Sequence, residues 1–395
     1  MLTLLSWPAQ TERKFLKAHA QGKTEMPRLP STSIDLSEEK NDLERLLRTI
    51  KGEHPAMAFL RRTGRGYLAA AEMLESSGTA RFTEISRGLF GAPRDRIHAG
   101  APSHLEAAEH FLGHSENFPT PKKAALMTAD EAAEALRERL EPIFDPPLPV
   151  VLAPGLRALA TAGAKRVRLR AGTTLRPLQV EQLFQHEAMV HSATKRNGRS
   201  QPYLSSLGLS SPRTTCTQEG LATLAELMTD TLDPTRLRRI ALRIRGVDAA
   251  LEGADFVEVF RLFGEAGLEP AAAYGAAARI FRGGALKGRY VFTKDVVYLK
   301  GLLLVHAFLV KAAADGRHHL PEILFAGRMT IMDALQFEGL LDEGILAPPE
   351  VVPSWVANAR CLSTYLLFTS YGAQLEVNDL SLDMLADTEG DFSSM

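Results

Sequence analysis

The chain has 395 residues, 45% hydrophobic and 24% charged, with 46 basic against 47 acidic side chains. That balance suits a folded globule with a sizeable core and excludes a disordered chain. A formal charge of -1 supplies no field to attract nucleic acid, so no nucleic-acid partner is expected.

The opening, MLTLLSWPAQTERKF, has a short apolar run with no basic segment before it and no cleavage pattern, and a cytoplasmic location is expected. Residues 1–38 read as a peripheral N-terminal arm, 39–145 as a helical support region, 146–350 as the catalytic core and 351–395 as a C-terminal packing segment and tail. The support region carries three amphipathic or apolar helical patterns up to residue 90, then an Ala- and Glu-rich helix over 124–142 that PIFDPPLPVVLAP breaks. At 164–170, AKRVRLR alternates Val167 and Leu169 with arginines, the two-residue period of a half-buried strand.

The next helix begins near Pro177, which is tolerated at the first helical position, and continues through VEQLFQHEAMVH. Val180, Leu183, Phe184, Glu187 and His191 fall near one of its faces. NGRSQP then reads as a turn, YLSSLGL as a short strand and TQEGLATLAELMTD as a helix, followed by helices over 235–252, 255–265, 271–281, 295–313 and 329–343. AAAYGAAARIF and LLLVHAFLV are too short or too interrupted to span lipid and read as buried helices, so no membrane partner is expected. The fold class is α+β, predominantly helical with a small sheet.

Within this frame one constellation carries chemistry. His186 and His191 can bind zinc through neutral imidazole nitrogens, and the adjacent Glu187 is placed to act as a base towards water. With 11 histidines and 47 acidic residues in the chain, chance supplies a His-acid-x-x-x-His pattern roughly 0.04 times. The histidines are five apart, however, and an ideal α-helix would turn one about 140 degrees from the other. Shared coordination therefore requires a widened turn near Ala188 to Val190. Glu181, Glu219 and Glu226 are candidate third ligands. Glu219 is preferred, because it follows a turn-rich excursion that can fold it back and Gly220 leaves its backbone room for close approach. Cys216 stays outside the first shell, since a fourth protein ligand would fill the position a catalytic zinc keeps for water.

HEAMVH followed by NG and TQEGLA resembles the microtubule-associated tubulin tyrosine carboxypeptidase family and its bacterial relatives, the flavohemoglobin expression-modulating QEGLA-motif proteins. LFGAP at 89–93, RIFRGG and FTKDVVYLKG extend the resemblance from the N-terminal helical region to about residue 350. It implies a zinc metallopeptidase in which His186, His191 and Glu219 bind zinc and Glu187 activates water. It further implies a carboxypeptidase-like removal of a C-terminal residue, Tyr among the candidates, from a peptide or protein tail, in a bacterial setting. Nothing in the N-terminal arm specifies a tubulin surface.

Hydrolysis also needs a group to stabilise the oxyanion and, for an exopeptidase, one to receive the terminal carboxylate. Arg282 and Lys294 are the candidates for the carboxylate and Tyr298 for the oxyanion, with Gly283 and Gly284 letting the backbone approach substrate. The competing readings are loop cations solvated by water and a core tyrosine. Lys195, Arg196 and Arg199 are further candidates to hold an acidic tail. The alternative function is a metal-binding regulatory or protein-binding module without hydrolysis. A purely helical scaffold would instead leave His186, His191 and Glu219 dispersed.

Overall fold

The computed structural model describes residues 2–29, 34–115, 125–156, 158–375 and Met384. Helix starts follow the local chemistry of their caps. Thr128 with Glu131, Asp255 with Glu258 and Thr330 with Asp333 each form a reciprocal capping box, opening the helices Ala129–Leu140, Phe256–Glu265 and Ile331–Asp342. Pro177, Pro234 and Pro270 take the first helical position of theirs, where the missing N–H costs nothing. The three patterns of the support region are the helices Ser37–Thr49, Pro55–Glu75 and Ala80–Phe90. The helix expected over 124–142 is shorter: Met127–Thr128 is extended and pairs antiparallel with Thr174–Leu175, while residue 124 lies outside the described residues.

AKRVRLR supplies the central strand, Val167–Arg170, of a three-stranded sheet. Val150–Ala153 pairs with it in parallel, Val150 opposite Val167, and Ala160–Ala162 pairs antiparallel, Ala160 opposite Leu169. Val167 and Leu169 are buried and Arg168 is exposed, as the alternation requires. The buried face packs with Leu136 and Leu140 and with Val180, Phe184 and Ala188 of the histidine-bearing helix, so the sheet braces one side of that helix.

Two further cores hold the other side. Leu221 and Leu224 of the helix Thr215–Met228 share a cluster with Leu302, Val305 and Leu309 of Val297–Ala314, together with Phe59, Phe325, Phe337, Trp355 and Leu366. Lys294–Ala314 is, among the described residues, the segment long and apolar enough to cross a membrane, and half of its apolar window is buried in these contacts. The helices Pro234–Glu252, Phe256–Glu265 and Pro270–Phe281 form a second cluster. Trp7 and Phe15 enter that cluster, and Phe15 stands edge-on to Phe256 and Phe260 at 5.4 and 4.9 Å. The described part of the expected arm is thus packed into the core through these aromatic residues.

NGRSQP and YLSSLGL depart from their sequence reading. The chain stays helical through Arg199, and Asn197, instead of turning the chain, donates from its buried amide to the carbonyls of Phe325 and Val351 at 2.8 and 2.7 Å. Ser205–Gly208 is a short 3-10 helix with Leu207 fully buried. A strand there would need an edge to pair with, and the space is taken by the backbones of 198 and 327.

Where the two central helices cross, Gly220 faces Gly301. A Cβ on Gly220 would stand 2.3 Å from the Gly301 carbonyl oxygen, a backbone atom that cannot swing away. Gly220→Ala is therefore expected to lose about 1–3 kcal/mol by overpacking. Gly88→Ala, on a helix and facing nothing within 4 Å, should gain about 0.5–1 kcal/mol from the lower entropy of alanine. Urea unfolding of both variants measures the contrast, and equal effects would contradict the crossing as described.

Candidate metal centre

The distortion demanded by the five-residue histidine spacing is present. Phe184–Ser192 is a π-helix inserted between the α-helical segments Pro177–Leu183 and Ala193–Arg199, and the Ala193 N–H reaches back five residues to the Ala188 carbonyl. Widening the turn by one residue brings positions five apart onto one face. The rings of His186 and His191 consequently meet edge to face, with centroids 4.9 Å apart at 87°. Thr194 fastens this segment to the neighbouring helix, its hydroxyl contacting both the Val190 carbonyl and Gln218 Oε1.

Glu219 arrives on the helix Thr215–Met228, which the Gly220–Gly301 contact presses close to Val297–Ala314. Its Oε2 lies 3.6 Å from His186 Nε2 and 3.7 Å from His191 Nε2, and the three potential ligand atoms all fall within 4.8 Å of one another. Two ligands on a tetrahedral ion at 2.0–2.1 Å would stand about 3.3 Å apart, so this donor set fits a small divalent cation with little movement. Burial opposes charge on Glu219, but Lys294 and the two imidazoles outweigh it and hold the carboxyl well below its usual range. The Lys294 ammonium is 3.4 Å from Glu219 Oε1.

Glu226 has a different task from the ligand role considered for it. Seven residues beyond Glu219, it lies two turns on along the same helix face and meets the far side of the His186 ring, its Oε1 2.6 Å from Nδ1. A carboxylate accepting from Nδ1 fixes the tautomer and leaves Nε2 free to ligate. Glu226 is itself fully buried and clasped by Arg236 at 3.2 and 3.1 Å and by the Gln182 amide at 2.6 Å. Burial would raise its pKa, yet Arg236 and His186 draw it down to about 2. The seven-residue spacing was the sequence signal for this pair. His191 has no comparable support, for its Nδ1 is buried without a partner among the described residues, and its ring is oriented by His186. Glu181, the remaining ligand candidate, pairs instead with Arg139.

Glu187 is half-buried, and no hydrogen bond from the described residues ties up its carboxylate. Tyr298 opens the helix after Lys294, whose ammonium lies 5.5 Å from the tyrosine ring centroid, and its hydroxyl accepts from Arg279 at 3.4 Å. Burial and Glu219 push the Tyr298 phenol up, but Lys294 and Arg279 outweigh them and lower it. Beneath it, buried Asp295 takes both Arg279 nitrogens at 2.7 and 2.5 Å and approaches Arg243 at 3.8 Å, fixing the turn that carries Lys294. The structure thus gathers Lys294 and Tyr298 around Glu219. Arg282 instead lies over Phe292, 5.1 Å from its centroid, on an aromatic cluster that includes Phe82 and Phe90. Lys195 donates to the Ala162 carbonyl at 3.1 Å, and Arg196 to the carbonyls of Pro146 and Asp145. Neither Asp295 nor Arg243 was singled out from the sequence.

The model of a protein family described as MATCAP, microtubule-associated tyrosine carboxypeptidase, matches residues 13–374. The chain belongs to this family. The match begins within the expected arm and runs beyond residue 350, in keeping with Phe15 and the helix Ala359–Gly372 both contributing to the cores. No curated protein matches the chain. Membership in the microtubule-associated tyrosine carboxypeptidase family implies a carboxypeptidase-type hydrolase, with a protein C-terminal tail as the kind of partner.

The Glu226 brace can be tested apart from catalysis. Glu226→Ala leaves the half-buried Arg236 without its partner, a loss expected to cost about 3 kcal/mol, the lower end for a broken buried pair. It should also weaken divalent-metal affinity about 10- to 100-fold by freeing the His186 ring. Glu226→Gln, which still accepts at Nδ1, should fall between it and the unaltered protein. Thermal melting and metal titration of the two variants report these effects, and metal affinity unchanged in both would remove the bracing role.

Proposed function

We propose that this chain is a zinc-dependent carboxypeptidase that removes a C-terminal residue, Tyr the first candidate, from a peptide or protein tail. His186, His191 and Glu219 would hold the metal. When bound, zinc supplies a Lewis acid for the scissile carbonyl and lowers the pKa of water so that it can attack at neutral pH. The observation that carries the reading is the convergence of two imidazole Nε2 atoms on one carboxylate, beside Glu187, whose carboxylate takes no hydrogen bond from the described residues, in a chain of a carboxypeptidase family.

The remaining roles belong to the chain's own groups. Glu187 takes the proton from the attacking water and returns it to the departing amine, which a carboxylate without competing hydrogen bonds is free to do. Tyr298 donates to the oxyanion as it develops, its phenol made more acidic by Lys294 and Arg279. Lys294 neutralises Glu219 and adds positive potential on the same side. Glu226 and Arg236 keep His186 from rotating, and Asp295 with Arg279 keeps Tyr298 in place.

Protein purified without added zinc is expected to contain one equivalent by elemental analysis, and His186→Ala and Glu219→Ala should lose it. Zinc-free protein that fails to take up the ion when it is returned would refute the assignment. Glu187→Gln should retain zinc while turnover falls at least about 100-fold, the scale of general base catalysis. Mass spectrometry of a peptide library with free and amidated C-termini should show release of single terminal residues from the free acids alone. Efficient internal cleavage of both forms would exclude an exopeptidase.

A further inference from the structure

A carboxypeptidase must hold a terminal carboxylate, and most cations around this site are already committed. Lys294 is paired with Glu219, Arg236 with Glu226, and Arg279 with Asp295, while Arg282 is laid over Phe292. Arg328 differs from them. Among the described residues it makes no ion pair, and its buried Nε has no hydrogen-bond partner, yet Glu219, Tyr67 and Glu187 all act on its charge. Burial depresses its pKa to about 10, which these groups only partly oppose, so it remains a cation at neutral pH.

Its placement is built with care for position. Arg328 N–H donates to the Leu207 carbonyl at 2.7 Å, and the two preceding carbonyls, of Phe325 and Ala326, accept from the Asn197 and Gln201 amides at 2.8 and 3.1 Å. Gly327 lies against Gly198 and Leu207, where a Cβ would come within 2.6 Å of Leu207 Cβ. Asn197 and Gly198 belong to the same continuous helix as His186 and Glu187. The Arg328 backbone is therefore bracketed onto the rod that carries the candidate ligands and base, although it lies well over 100 residues away in sequence. The Arg328 side chain is half-buried with its Nε closed off from water, and a carboxylate is the group the planar fork of a guanidinium fits best.

We infer that Arg328 is the anchor for the terminal carboxylate of the peptide substrate, an assignment that rests on the carboxypeptidase reading and moves the clamp from Arg282 and Lys294 to a residue that no sequence pattern singles out. Tyr67, whose hydroxyl donates to the Ser210 carbonyl at 2.8 Å, acts on the charge of the same guanidinium. The bound carboxylate replaces the missing counter-ion, so recognition of the free terminus is favoured over its amide by charge-assisted hydrogen bonds.

The test uses binding as well as turnover. The probes are an N-acetylated pentapeptide ending in tyrosine and the same peptide as its C-terminal amide, titrated calorimetrically against zinc-supplemented full-length Glu187→Gln protein. The free acid should bind about 10- to 100-fold more tightly than the amide. Adding Arg328→Met should abolish that preference and leave amide binding within about 2-fold, and Arg328→Lys, which keeps charge but not the fork, should restore part of it. Because Met keeps an apolar stem of similar length and removes a half-buried charge that makes no ion pair among the described residues, the melting temperature should hold. Preference retained in Arg328→Met, no preference in the parent, no binding of either peptide, or unfolding of both Arg328 variants would each overturn the anchor. Tyrosine release by the unaltered protein is scored separately. Release with an Arg328-independent preference leaves the peptidase and removes the anchor, whereas an Arg328-dependent preference without release keeps the anchor and removes the peptidase.

Discussion

Two histidines five residues apart can share a ligand only if the helix between them is not α-helical, and the rest of this structure depends on that widened turn. A π-turn is a poor local solution, with one hydrogen-bond register exchanged for a longer one. It persists here because both sides are over-determined. Phe184, Ala188 and Met189 pack on the small sheet, Val190 enters the core shared by the two central helices, and Thr194 ties the exit of the turn to Gln218. The widened turn is confined to the site, and the packing that holds it is spread over three elements.

Around the turn, buried charge is arranged in pairs that each fix one functional group. Glu226 and Arg236 lock His186, Asp295 and Arg279 set Tyr298, and Lys294 faces Glu219. Such pairs add little net stability, since desolvation consumes most of the Coulomb attraction, but breaking one strands its partner. Their value is orientation. Arg328 departs from this pairing, which is why its guanidinium stands out as a receiver of substrate charge.

Close backbone approach links these parts. Gly220 against Gly301 brings the helix of Glu219 to that of Tyr298, and Gly198 against Gly327 joins the histidine helix to the strand of chain that ends in Arg328. In both places a single Cβ would push apart elements that meet at the candidate site. The sheet, the crossing helices and the aromatic cluster around Phe15 and Phe256 thus act as a frame whose tolerances are set by glycine.

By itself the sequence determined what is local or periodic. The alternation of Val167 and Leu169 marked the central strand, Pro177 marked the start of the histidine helix, and the spacing of His186 and His191 required a distortion that the backbone contains. The His, Glu and QEGLA pattern also pointed to the family, because these residues lie close together in the chain and need few distant contacts to be recognised. Tertiary structure alone decided the partners that meet across long stretches of chain: Asn197 with Phe325, Arg279 with Asp295 and Tyr298, and Lys294 with Glu219. It also turned NGRSQP from a loop signal into the end of a helix, since the preference of Asn and Gly for turns yields when an amide can satisfy two buried carbonyls and a missing side chain admits a second backbone. Propensity and spacing act over a few residues, whereas burial and charge pairing act wherever packing brings groups together, and the substrate side of this site is made almost entirely of the second kind.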